Sequence, residues 1–499
     1  MKPEHIELSQ QDMAKVLKER LAKSSSQRTG QRLGLMTSID GGQLILLLLD
    51  PHEGTCQLIE SPVQNNAYKA MTSNYAQFHW FERAIFDMFG IIAEGHPRFK
   101  HLLLHEQYDR NFFPLRKQPL PEGFSSPVER AYHFLEVQGE GVYELPVGPI
   151  HAGVIEPGHF RFSCFGETIV NLEIRLGYLH RGVEKRLTEV PWRKAHFVAE
   201  AAATDTAAAN ALAHAEAIES IAQIDVPQRA RFLRTIALEI ERLAMHIIDV
   251  GGICTDIGLL GIAASMARLR GKALGMGDML SGSRFLRGFI IPGGTRKVEE
   301  AKLSEIRTTC GQLRKDLQPV IAMLLENQMA VERMQNVGVI SKSLADEFGL
   351  VGVGARGAGI SYDVRQHFTH GMYPQYAPPV VMIEGGDIFA RERVRIGEIW
   401  STLDTIEKLI ADIPAGEEKI EMPTVLPKMA WGVGIVEAFR GELIHLIGTD
   451  MEGNIRRYAI KDPSFDNWTA ISIAIRNQLI ADFPLCNKSF ALSYGGNDL

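Results

Sequence analysis

Gly148-Pro149-Ile150-His151, Glu156-Pro157-Gly158-His159-Phe160-Arg161 and His180-Arg181-Gly182-Val183-Glu184-Lys185 belong to one glycine-punctuated stretch whose reading decides the rest of the chain. His151, Glu156, His159, His180, Arg181 and Glu184 fall within 34 residues. So many ionisable groups are buried together only if they pair, because an unpaired charge in a protein interior is costly. The stretch is therefore either a working polar site or an ion-pair network that holds a subunit interface.

On its N-terminal side, Leu33–Ile39 and Gln43–Leu49 are two apolar runs separated by Asp40-Gly41-Gly42. Asp-Gly between apolar runs predicts a hairpin. Trp80, Phe81, Ile85, Met88 and Phe89 then recur at helical spacing, and Gly90 fits the residue just past a helix end. Residues 117 to 147 carry Pro119, Pro121, Gly123, Pro127, Gly139 and Gly141, a punctuated stretch that places a domain boundary there. The expected division is a small α/β domain over 1–125, a linker over 126–147 and a second domain over 148–499.

The second domain reads as mainly helical. Residues 195 to 223 are Ala-rich, and Asp225 with Pro227 marks a stop and a new start for a helix to about Ile248. Apolar periodicity returns at 299 to 335 and 391 to 412. The expectation is an α+β chain whose larger part is a helical bundle flanked by short sheets near 150 to 178 and 430 to 446.

Composition narrows the function classes. With 499 residues, 45% hydrophobic and 23% charged, the chain can bury a large core. A formal charge of -7 with no basic stretch argues against a nucleic-acid partner. Cys56, Cys164, Cys254, Cys310 and Cys486 lie far apart with no CxxC pair, so they define neither a disulfide framework nor a local metal site and suit a reducing compartment. The aliphatic run Leu44–Leu49 is far below the roughly 20 residues of a membrane helix.

The ordered motifs carry a resemblance. Trp80-Phe81-Glu82-Arg83, Asp87-Met88-Phe89-Gly90, Gly95-His96-Pro97 and Pro114-Leu115-Arg116-Lys117 resemble the 30 kDa subunit of complex I, the proton-pumping NADH:quinone oxidoreductase. Ala84 departs from that pattern, which usually has Glu there. From the opening stretch onward the chain resembles the complex I 49 kDa subunit and, more closely, the large subunit of NiFe hydrogenases of the formate hydrogenlyase type. Those matches continue through Arg356-Gly357-Ala358-Gly359, Asp363, Arg365, Gly386-Asp387, Arg391, Arg395, Glu398, Glu437-Ala438-Phe439-Arg440-Gly441-Glu442 and Ile460-Lys461-Asp462-Pro463. Fusion of the two parts is typical of the formate hydrogenlyase type.

The resemblance also says where the metal would sit. Such hydrogenases hold nickel through an early RxCGxC and a late DPCxxC, four soft thiolates in all. Aligned between Glu200 and Glu219, the early cysteine positions become Ala203 and Thr206, and a neighbouring His becomes Asn210. The late positions are read at Pro484 and Asn487, next to Cys486, itself read as a buried small hydrophobe. Nickel-dependent hydrogen chemistry is not expected. In complex I a quinone headgroup lies between a His, matched by His151, and a Tyr, whose position falls at Thr204.

What the resemblance implies is a polar centre of His151, Glu156, His159 and Asp205, with His180, Arg181, Glu184 and Thr204 lining an acceptor cavity. Glu156 stands where hydrogenases keep a proton-passing Glu, a task suited to a carboxyl with a raised pKa. The chain itself is expected to bind no cofactor. Its implied partners are a small subunit carrying a 4Fe–4S cluster and antiporter-like and other integral membrane subunits. Together they would form a peripheral arm on the cytoplasmic face of the membrane, with a quinone as one candidate acceptor.

Overall fold

The computed structural model describes residues 1–21, 30–152, 155–368 and 370–499. The predicted hairpin is present. Arg32–Ile39 and Gln43–Asp50 pair antiparallel, and Asp40 and Gly41 take left-handed backbone in the turn (φ 54° and 87°), a conformation these two residue types tolerate best. Thr55–Pro62 adds a third strand, and Glu4–Glu7 pairs parallel to it at the edge. Every residue of Leu44–Leu49 is buried, so this is a sheet covered on both faces. Helix His79–Phe89 follows and ends at Gly90, whose φ of 70° supplies the left-handed cap.

The stretch read as linker is irregular up to Gly141. Its last six residues, Val142–Val147, pair antiparallel with His159–Phe165, which in turn pairs with Thr168–Arg175. Helices Gln228–Asp256, Leu260–Ser281, Glu300–Leu325 and Ile388–Asp412 form the expected bundle. Leu260–Ser281 carries Gly261, Gly271, Gly275 and Gly277, which blur a helical signal in sequence. The Ala-rich run does not form one helix. It gives Ala195–Ala199 and Ala207–Ala222 with an irregular turn between, because Arg181 takes the carbonyls of Ala201 and Ala202 that helical N–H groups would otherwise use (2.9 and 2.7 Å).

Ala207–Ala222 lies flat on another sheet, the second sheet of the larger part, Trp431–Ala438, Gly441–Thr449 and Ile455–Lys461, an antiparallel meander. Gly434 makes the close approach, since a Cβ there would stand 1.9 Å from the Ala213 carbonyl oxygen. Arg457 reaches from this sheet to the Ser38 carbonyl, and Trp80 and Phe81 pack on Phe465, so the N-terminal unit is joined firmly to the larger part. Among the described residues no helix is long and apolar enough to cross a membrane.

Candidate polar site

The opening stretch and the C-terminal segment meet. Phe160, Phe162 and Cys164 point to one face of their strand, and Phe160 packs against His151, Phe483 and Tyr494 (centroids 5.2, 4.8 and 6.4 Å). His159 and Arg161 belong to the opposite face by the strand's period of two. His159 accordingly lies against Phe134, with its ring nitrogens beside the Gly148 carbonyl and the Arg161 guanidinium. It is therefore not brought to the centre where the resemblance put it.

Glu156, half-buried, accepts a hydrogen bond from the Gly495 backbone N–H at 2.9 Å. Arg181 donates to the Gly495 carbonyl at 3.1 Å as well as to Ala201 and Ala202, tying the early turn to the C-terminal one. A second arginine repeats the tie. Arg440 donates to the Ala491 carbonyl and forms a two-pronged pair with Asp205, at 2.8 and 2.6 Å. Burial opposes ionisation of Asp205, but the Arg440 guanidinium outweighs it and holds the carboxyl below its usual range. Asp462, which burial pushes the other way, sits against Gly496, where a Cβ would stand 2.4 Å from its Oδ2. Glycine is required there by space alone.

Thr204 is exposed on the turn, and among the described residues no hydrogen bond ties its side chain to the centre. His180 and Glu184 face elsewhere. They line a cavity of about 90 Å³ that separates the two parts of the chain, walled by Phe81, Ala84 and Phe465 opposite Asn497. His180 is held by the Asp498 carbonyl, and both Glu184 oxygens are taken, by Arg457 and the Ile460 N–H at 2.9 Å each.

Ala203 and Thr206 are buried in the early turn, but the segment tied to that turn is not Pro484 to Asn487. Pro484 is exposed, Asn487 bonds the Tyr494 hydroxyl, and Cys486 lies against Gly338 and Arg391. The segment tied to the early turn is 491–495, followed by Gly496, whose N–H donates to the Ser493 hydroxyl at 2.9 Å. Asp482-Phe483-Pro484 imitated the late motif, whereas Ser493 before Gly495-Gly496 carries only a helix-cap signal, and Ser493 does cap the last short helix. Arg440 and Asp462 were legible as motif members without a role.

Both parts of the chain have known relatives. The family described as the 49 Kd subunit of respiratory-chain NADH dehydrogenase matches residues 256–432, and its 30 Kd counterpart matches residues 9–124. Membrane-bound hydrogenase subunit alpha of Pyrococcus furiosus is 30% identical over 355 residues, 68% of this chain and 83% of that protein. Formate hydrogenlyase subunit 5 of Escherichia coli is 28% identical over 470 residues, 92% of this chain and 82% of that one. Among solved structures, a chain of the membrane-bound sulfane sulfur reductase, an archaeal respiratory membrane complex, superposes with a TM-score of 0.68 at 26% identity, over 72% of this chain and 99% of that chain.

Proposed function

This chain belongs to the family that unites the large subunits of membrane-bound hydrogenases with the 49 kDa subunit of complex I, here fused to a 30 kDa-like region, and from that premise we propose that it is the large redox subunit of a membrane-associated, ion-translocating oxidoreductase that works without nickel. The residues joined around the early turn offer the carboxyls of Glu156, Asp205 and Asp462, the hydroxyls of Thr206 and Ser493 and two guanidiniums. A nickel–iron centre takes thiolates. The five cysteines lie on other elements, so the donor set does not fit that centre and no step is routed through it.

The observation that carries the reading is the convergence of Glu156, Arg181 and the Arg440–Asp205 pair on residues 491–495. An oxidised acceptor with a carbonyl, a quinone being the leading class, gains two electrons and two protons to give the hydroxyl form. The electrons come from the cluster of a small iron–sulfur subunit. Arg440 suits the oxygen that gains charge, and Glu156, half-exposed, suits proton delivery from solvent. Antiporter-like membrane subunits complete the complex, at the cytoplasmic face.

The test uses the intact complex with reduced viologen as donor and a soluble short-chain quinone as acceptor. Glu156→Gln should leave subunit composition unchanged and lower quinone reduction at least tenfold. Wild-type turnover in the variant defeats the role of Glu156, and a complex that falls apart assigns Glu156 to assembly. A scaffold reading draws on one specific observation, that Asp205 and Arg440 satisfy each other fully. A purified complex without a reducible iron–sulfur cluster decides for the scaffold.

A further inference from the structure

A second set of the motif residues converges away from the polar site. Arg356 donates through one nitrogen to Glu437 (2.7 Å) and lies 3.6 Å from Asp363 through that same nitrogen, while its other terminal nitrogen is 2.8 Å from Glu398. Arg365 grips Asp363 at 2.7 Å and reaches Glu239 at 3.3 Å. Arg242 lies 3.4 Å from Glu239 and 3.5 Å from Glu398, and His246 closes on Glu398 at 2.9 Å. None of these side chains is more than 1% exposed.

The charges do not balance. Among the described residues three guanidiniums face four carboxyls, Glu239, Asp363, Glu398 and Glu437, in an interior that tolerates little net charge. His246 Nδ1 and His370 Nε2 find no hydrogen-bond partner among the described residues, as suits neutral rings, and burial favours the neutral form of both. Glu442, paired across the strands with Glu437, is already matched by Arg32 and Lys461. One carboxyl must therefore hold a proton, and the donor count selects it. Glu239 receives the Tyr373 and Thr402 hydroxyls besides two arginines, Asp363 receives Arg365 several times over, and Glu398 meets three arginines and His246. Among the described residues Glu437 has one guanidinium nitrogen and the Val364 N–H.

We propose that this cluster is a proton-binding centre, distinct from the polar site, in which Glu437 carries one proton while Asp363, Glu398 and Glu239 stay ionised against the arginines. The cluster adjoins the site's scaffold: Arg242 also donates to the carbonyls of Glu437 and Ala438, the strand end that leads to Arg440. Burial first, and then the Asp363 carboxylate, lift Glu437 from 4.5 to about 7, whereas the arginines hold Asp363 low against its own burial. A carboxyl raised in the folded state adds stability that is complete below its unfolded value of 4.5 and is lost as the pH rises through about 7.

Infrared difference spectra of the purified complex, wild type minus Glu437→Gln, test the assignment directly. At acidic to neutral pH the difference should contain one protonated-carboxyl C=O band, shifted in D2O and titrating away as the pH is raised past about 7. Because Gln is isosteric with the neutral acid, Tm should be unchanged in Glu437→Gln and should fall in Glu398→Gln, where an ionised partner is removed. A difference spectrum showing loss of a carboxylate band, or no band, overturns the proposal. So does a Glu437→Gln chain that loses as much stability as Glu398→Gln or fails to fold.

Discussion

Asp205 meets both terminal nitrogens of Arg440, and nothing else among the described residues offers that guanidinium a second carboxylate at hydrogen-bond distance. Asp205→Asn keeps the shape and removes the charge. We expect it to cost about 2 kcal/mol, below the range for a fully buried pair because the Asp205 side chain is one-third exposed; thermal unfolding reads this as a lower Tm. At this scale the sequence was informative about chemistry and less so about direction. Glu156, Arg181 and Asp205 do converge, but His159 opens the strand that follows Glu156 and lies on the face opposite Phe160, because a strand sends alternate side chains to opposite faces. Ser493 and Gly496 escaped notice because neither residue type announces the position it occupies.

The element that sets the depth of the site is helix Ala207–Ala222. Its alanines and the glycines of the strand beneath let two backbones approach closely, and a Cβ at Gly434 or Gly432 would stand 1.9 or 2.2 Å from a carbonyl oxygen of the helix. Gly434→Ala should therefore cost about 3 kcal/mol or more, the upper end for overpacking, and should move the turn that holds Asp205; urea unfolding with an unchanged m-value would confirm a purely native-state effect. Asp-Gly at 40–41 and the period of Trp80 to Phe89 led directly to real elements, since each signal is local. The interruption at 200–206 was not visible from sequence. It is made by Arg181 and Arg440, which approach from elsewhere in the chain.

Across the whole molecule the two parts share one charge system. Arg32, from the N-terminal sheet, reaches Glu442 in the second sheet and donates to the Gly349 carbonyl, while Lys461 holds the same carboxylate at 2.6 Å. Removing Arg32 leaves a buried carboxylate with one cation. Arg32→Ala should lower stability by about 3–5 kcal/mol and still unfold both parts in one calorimetric transition, because Arg457 and the Phe465 contacts remain. Two separate transitions would show that the parts are independent cooperative units. The resemblance foresaw two regions, but residues 32 and 442 are joined across 410 positions of chain, a pairing that no local pattern reveals.

The tie between the early turn and residues 491–495 has a consequence for biogenesis. Every group that Arg181 and Arg440 must reach on that segment leaves the ribosome after all the others that line the site. Until then the two guanidiniums and Glu156 stay hydrated in an open cleft. The bundle can thus form while the centre is still open, and residues 491–495, made after the rest of the site, close it.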